Sequence, residues 1–124
     1  MKKLTKAEEE IMQIVWEQGE STVGSVRDYL SAQTGGKKPP HSTISTMLRI
    51  LADKGFLEFR AYGRTHVYTP AVSKSQYSKQ SLRRLVSDYF GGSTNRLVSF
   101  LVREEDLSLE ELNQLIEKLE KDKD

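Results

Sequence analysis

Apolar residues along the first seventy positions recur with helical spacing and then with the alternation of strands. Thr5-Lys6-Ala7-Glu8 has the form of a capping box, in which hydroxyl and carboxylate satisfy the first free amides of a helix. Ala7, Ile11, Ile14 and Val15 follow at helical spacing, Met12 and Trp16 widen the stripe, and Gly19 is a natural stop, which predicts a first helix over about residues 6–18. Thr22 can cap a second helix with Val23, Val26, Tyr29 and Leu30 on one side, ending in the loop "TGGKKPP". A third helix is predicted from about Ser42, as N-cap, to Lys54, with Gly55 as C-cap. "FLEFRAYGRTHVYTP" reads as a hairpin with its turn at Ala61-Tyr62-Gly63-Arg64. Pro70 ends the second strand, since it has no N–H to give to a ladder. Three helices and a hairpin are the order of a winged helix-turn-helix, in which a short strand near Ser21–Thr22 is expected.

Beyond Val72 the pattern is purely helical. Tyr77, Leu82, Leu85, Val86 and Tyr89 mark a fourth helix that stops at Gly91-Gly92, and Leu97, Val98, Leu101 and Val102 mark a short fifth. Ser108-Leu109-Glu110-Glu111 is a second capping box, opening a helix with Leu109, Leu112, Leu115, Ile116 and Leu119. The expected fold class is mainly α with a small β-hairpin wing, a winged helix-turn-helix domain over 1–72 and a helical region over 73–124. A unit of about 50 residues rarely buries enough apolar surface to be stable alone. It must pack on the first domain, on a second copy or on another protein. Self-association is the favoured reading, with Leu82, Leu85, Tyr89, Leu97, Leu101, Leu112, Leu115, Ile116 and Leu119 as the dimerisation set.

Charge changes the picture more than composition does. The net charge is only +1, yet residues 37–96 hold 11 Lys/Arg against 3 Asp/Glu while the segments on either side are acidic. A basic middle suggests a localised surface for a polyanion, with ordinary solvated charge as the alternative. With no cysteine there is neither a disulfide framework nor a thiolate metal site. No apolar run reaches the roughly 20 residues of a membrane span, and Met1-Lys2-Lys3-Leu4-Thr5 lacks the apolar core of a signal peptide, so a cytoplasmic location is expected.

The third helix carries the candidate chemistry. Ile44, Met47, Leu48 and Leu51 fall in one stripe, which leaves Ser42, Ser45, Thr46, Arg49 and Asp53 opposite and Thr43 at the N-terminal edge. Ser and Thr cost helix propensity, so a merely solvated face would favour Glu, Lys or Gln. Short polar side chains suit a surface that another must approach closely. The DNA major groove admits one helix, Ser and Thr reach phosphates or base edges, and Arg reads guanine in a bidentate way. Arg60 and Arg64 flank the hairpin turn with Tyr62 at its tip, a pattern fit to lie along the backbone or enter the minor groove. Lys37 and Lys38, just before the helix, could add phosphate contacts. Thus Ser42, Thr43, Ser45, Thr46, Arg49, Arg60, Tyr62, Arg64, Lys37 and Lys38 form the candidate DNA-binding set. A winged helix used for protein interaction is the rival reading, and it would put apolar or acidic residues on that face. An enzyme is disfavoured: His41 and His66, the two histidines, are not paired with a nucleophile or convergent carboxylates. His41 is placed near the DNA backbone and His66 is read as an ordinary strand residue. No cofactor is expected.

"LTKAEEEIMQIVWEQGESTVGSV", "STISTMLRILADKGFLEF", "GRTHVYTPAVSKSQY" and "NRLVSFLVREEDLSLEELNQL" together resemble the penicillinase-repressor family of bacterial regulators, over nearly the whole chain. The resemblance implies winged-helix domains dimerised through the C-terminal helices on a palindromic operator, repressing by occluding a promoter. It places the recognition positions at Thr43, Ser45, Thr46 and Arg49 and the wing at Arg60 to Arg64. Copper-responsive members end in a cysteine-rich box, which this chain lacks, so metal sensing of that kind is excluded. Members answering to cell-wall antibiotics are released when a membrane-bound sensor metalloprotease cuts the fifth helix at an Asn-Phe bond. The matching position here is Phe100-Leu101, without the asparagine, and such a protease is the suspected further partner.

Overall fold

The computed structural model describes residues 2–104 and 108–121. Among the described residues, six helices, α1 (Lys6–Gln18), α2 (Val23–Gln33), α3 (His41–Asp53), α4 (Lys74–Phe90), α5 (Thr94–Glu104) and α6 (Leu109–Lys121), and two strands, β1 (Leu57–Tyr62) and β2 (Thr65–Pro70), follow in the order α1-α2-α3-β1-β2-α4-α5-α6. The chain divides into two compact units, residues 1–74 and 75–124.

In the first unit the core is made by Ile11, Met12, Ile14 and Val15 of α1, Val26 of α2, Ile44, Leu48 and Leu51 of α3, and Phe56, Leu57 and Tyr68 of the hairpin, all buried. α1 opens with the expected capping box: Thr5 N–H donates to Glu8 Oε1 at 2.8 Å and Glu8 N–H to Thr5 Oγ1 at 3.2 Å. Burial alone would push the Glu8 carboxyl up, but Lys54 Nζ, 2.8 Å from both of its oxygens, together with Thr5 holds it below the usual carboxylate range. This pair ties the start of α1 to the end of α3. α2 carries its own box, in which Thr22 and Ser25 cap each other.

β1 and β2 pair antiparallel, Leu57 with Pro70 through Tyr62 with Thr65. The expected strand near Ser21 is an isolated bridge: Ser21 N–H donates to Tyr68 O at 2.9 Å and Tyr68 N–H to Ser21 O at 2.7 Å. That bridge sews β2 to the α1–α2 connection.

Three expectations shift. α3 starts at His41, so Ser42 lies inside the helix and is not its N-cap. Pro40 takes the cap position in extended conformation (φ −58°, ψ 141°), its carbonyl accepts from Ile44 N–H, and no side chain caps that end. At the other end Lys54 is the C-cap and Gly55 the residue after it, with φ +85°. Gly55 N–H reaches Ala52 O at 3.0 Å and Phe56 N–H reaches Leu51 O at 2.9 Å, the paired bonds of a Schellman motif. In the hairpin Tyr62 is the last paired residue of β1, so the turn is Gly63-Arg64, one step later than expected. Gly63 makes this possible with φ +62°, a conformation that side chains disfavour.

In the second unit Ser108 Oγ accepts from Glu111 N–H at 3.1 Å and so caps α6. Tyr77 and Leu112 are buried. Phe90 and Phe100 pack edge to face with ring centres 5.5 Å apart.

Candidate nucleic-acid interface

The exposed face of α3 follows from what its other side must bury. Ile44, Leu48 and Leu51 lock the helix to the core, with Met47 half-buried beside them. Ser42, Thr43, Thr46, Arg49 and Asp53 are therefore turned to solvent, and Ser45 is half-buried. Because Pro40 takes the cap position, Ser42 does not cap the helix, and the amides left without a side-chain cap form the positive end of a helix dipole. Ile50 belongs to the same face and is 40% exposed, a residue the hydrophobic pattern had not singled out. Its place four residues after Thr46 could have marked it, because such residues share a helix face. An aliphatic group there can meet a thymine methyl.

Beside this face lies an open cleft of about 450 Å³. His41, Ser45 and Arg49, each four residues from the next, form one wall on α3. Arg64, Thr65 and His66 form the other, and Thr22 closes the end at the start of α2. This lining holds two arginines and two histidines beside the Tyr68 phenol, with no carboxylate among them. Such a wall suits a phosphodiester backbone.

The other face of the hairpin is different. Glu58, Arg60 and Tyr62 alternate to that side and line a separate hollow of about 570 Å³ together with Glu20 and Asp53. The fold thus unites Ser45, Arg49 and Arg64 in one cleft and sends Arg60 and Tyr62 to an acidic neighbourhood behind the wing. In the loop before α3, Lys37 is exposed, whereas Lys38 pairs with Asp28 at 2.8 Å. The Lys38 hydrogen bond and charge hold the exposed Asp28 carboxyl below its usual range. Arg27 Nε–H donates to Pro39 O at 2.8 Å, which pins the same loop to α2. His66 is a strand residue, as expected, and it also lines the cleft, which alternation alone does not show because it gives two strand faces without saying which one borders α3.

In the second unit Leu82, Leu85 and Tyr89 of α4 are exposed, Tyr89 by 79%, while Leu97 and Leu101 are half-buried. Leu112, expected to be available for association, is already buried within the single chain. The side chains of Leu115, Ile116 and Leu119 lie outside the described residues. Phe100 and Leu101 stand inside α5. Among the described residues no cluster of His, Asp and Glu could hold a metal ion, and no helix is long and apolar enough to cross a membrane.

The family model of the penicillinase repressor matches residues 4–121. The chain belongs to the penicillinase repressor family. Within that family it is 33% identical over 120 residues to the penicillinase repressor of Bacillus licheniformis, covering 97% of this chain and 91% of that one. It is 26% identical over 112 residues to the methicillin resistance regulatory protein MecI of Staphylococcus aureus, covering 90% and 89%. The solution structure of the DNA binding domain of the repressor BlaI is similar at 35% identity and TM-score 0.51, over 62% of this chain and 94% of that domain. The complex structure of hsRosR-S4, at 18% identity and TM-score 0.55 over 85% and 91%, shares the fold.

Proposed function

We propose that this penicillinase repressor family member is a DNA-binding transcriptional repressor that grips a palindromic operator as a dimer. α3 lies in the major groove, reading bases with Thr43, Ser45, Thr46 and Arg49, while Ser42, Lys37 and the α3 N-terminus meet phosphates. Arg64 holds the backbone that runs through the cleft, and Arg60 and Tyr62 act from the rear of the wing. The observation that carries this reading is the cleft itself: two arginines and two histidines without a carboxylate, joined to a helix face of short hydrogen-bonding side chains.

The second copy attaches through the helical unit. Leu82, Leu85 and Tyr89, with Phe100 of α5 and Leu109 of α6, leave a large apolar surface in water, which a partner helix pair would cover. Dimer symmetry then sets the spacing of half-sites. Occupancy of the operator blocks transcription in the cytoplasm. Release follows proteolysis by a membrane-bound sensor metalloprotease responding to a cell-wall antibiotic. The Phe100-Leu101 bond is in α5, so that helix must open locally for a protease to reach an extended chain.

Selection of bound sequences from a random duplex pool, followed by titration at several salt concentrations, tests the reading. A palindromic consensus bound by two chains is expected, with affinity falling by a log–log slope of about −0.9 per phosphate neutralised. No saturable binding at low salt would leave the winged helix as a protein-interaction module.

A further inference from the structure

The hairpin presents one histidine with unusual support. On the wing, Phe59 lies diagonally across the ladder from His66, and the two rings stack with centres 5.3 Å apart and planes 26° from parallel. Tyr68 meets the imidazole edge-on at 6.4 Å. Phe59 itself is 55% exposed, a large apolar ring left in water where a polar residue would cost nothing. Its stacking gives that exposure a use, since it limits the imidazole to one side of the wing. Across the cleft His41 stands in the first turn of α3, four residues before Ser45.

The surroundings decide what these imidazoles can respond to. His66 faces Arg64 on its own hairpin, His41 and Arg49 on α3, and the uncharged Thr22 and Val23 on α2. Every charged neighbour in the cleft is cationic. A phosphate lodged between the walls would favour the charged form of an imidazole beside it. We propose that His66, positioned by Phe59, contacts the DNA backbone from the wing and, with His41, couples operator affinity to proton uptake. The inference rests on the DNA-binding reading of the cleft. Histidine changes charge between about pH 5 and 8, and a ligand that binds the protonated form more tightly must bind more tightly as the pH falls. Each imidazole charged in the complex also adds one neutralised phosphate, which steepens the log–log salt dependence by about 0.9.

The test uses the full chain and a fluorescently labelled duplex of the selected operator, with anisotropy titrations at pH 8, 7 and 6 and fixed ionic strength. The expected result is a Kd that falls on the order of fivefold or more from pH 8 to pH 6, with a steeper salt slope at pH 6. His66→Gln should lose most of the gain at pH 6. His66→Lys, permanently charged, should hold tight binding at pH 8 with a flattened pH profile. Phe59→Leu, which keeps the apolar character but removes the ring, should lower the gain in part. His41→Gln separates the second imidazole. An NMR titration of the His66 imidazole, free and DNA-bound, gives a readout independent of affinity, and its midpoint should move upward on binding. Saturable binding with no pH dependence, a wild-type pH profile in His66→Gln, or an unmoved imidazole midpoint would overturn the proposal while leaving the repressor reading standing. Absence of saturable binding at every pH would instead remove the reading on which it rests.

Discussion

Replacing Glu8 by Gln isolates the clasp that holds the end of α3 to α1. Gln keeps an acceptor for the Thr5 amide, so the capping box survives and only the charge is removed. The Glu8 side chain is 8% exposed and that of Lys54 24%, with Nζ at 2.8 Å from both carboxylate oxygens. Breaking a fully buried pair costs about 3–5 kcal/mol and an exposed pair about 0–1 kcal/mol. Lys54 can turn its ammonium to water once unpaired, so this case falls between them, at about 1–2 kcal/mol. Glu8→Ala, which also removes the cap, should cost about 1 kcal/mol more. The assay is urea unfolding at pH 7 and fixed protein concentration, with DNA affinity measured in parallel and expected to hold. Acidity supplies an internal control. Because the folded-state carboxyl is held below its usual value, the stabilisation is present above the unfolded Glu range, about pH 4.3, and is lost as the pH falls through the depressed value. The gap between wild type and Glu8→Gln should therefore close on acidification. A gap below about 0.3 kcal/mol at pH 7, or one that persists unchanged at pH 3, would refute the argument.

Three further outcomes are expected. Arg49→Ala should weaken operator binding by about 1–3 kcal/mol and relax preference at one base pair, whereas Arg64→Ala should weaken all sequences alike and reduce the salt slope by about 0.9; selection and titration of each variant distinguish them. Gly63→Ala, forcing a side chain into φ +62°, should cost about 1–2 kcal/mol by thermal unfolding and loosen the wing, read as a loss of amide protection along β1 and β2. Tyr89→Asp, at a position 79% exposed on α4, should convert a dimer to a monomer in sedimentation and weaken operator binding without unfolding the first unit.

Element by element, the helices were legible wherever a cap wrote its own signature. Thr5 with Glu8, Thr22 and Ser108 each opened the helix expected of them. α3 was misjudged by one residue because its cap is a proline backbone, and a carbonyl leaves no trace in side-chain chemistry. The turn slipped by one because several residues around Gly63 suit a turn, and only the pairing of Tyr62 with Thr65 fixes its register. Leu112 showed the limit of reading an apolar stripe: periodicity identifies a face to be covered, but not whether the same chain already covers it.

What the sequence by itself determined is the outward face of α3. The stripe of Ile44, Leu48 and Leu51 obliges the hydroxyls and Arg49 to face outward, since helical geometry leaves them no other side. What only tertiary structure decided is which residues join them. Phe56, Leu57 and Tyr68 are buried, and Ser21 bridges to Tyr68 across 47 positions of chain, so the hairpin is held against the helices of the first unit. With the hairpin so held, Arg64 and His66 line one cleft with His41 and Arg49, while Arg60 lines a separate hollow. Strand alternation assigns side chains to two faces, but only long-range packing decides which of them joins α3.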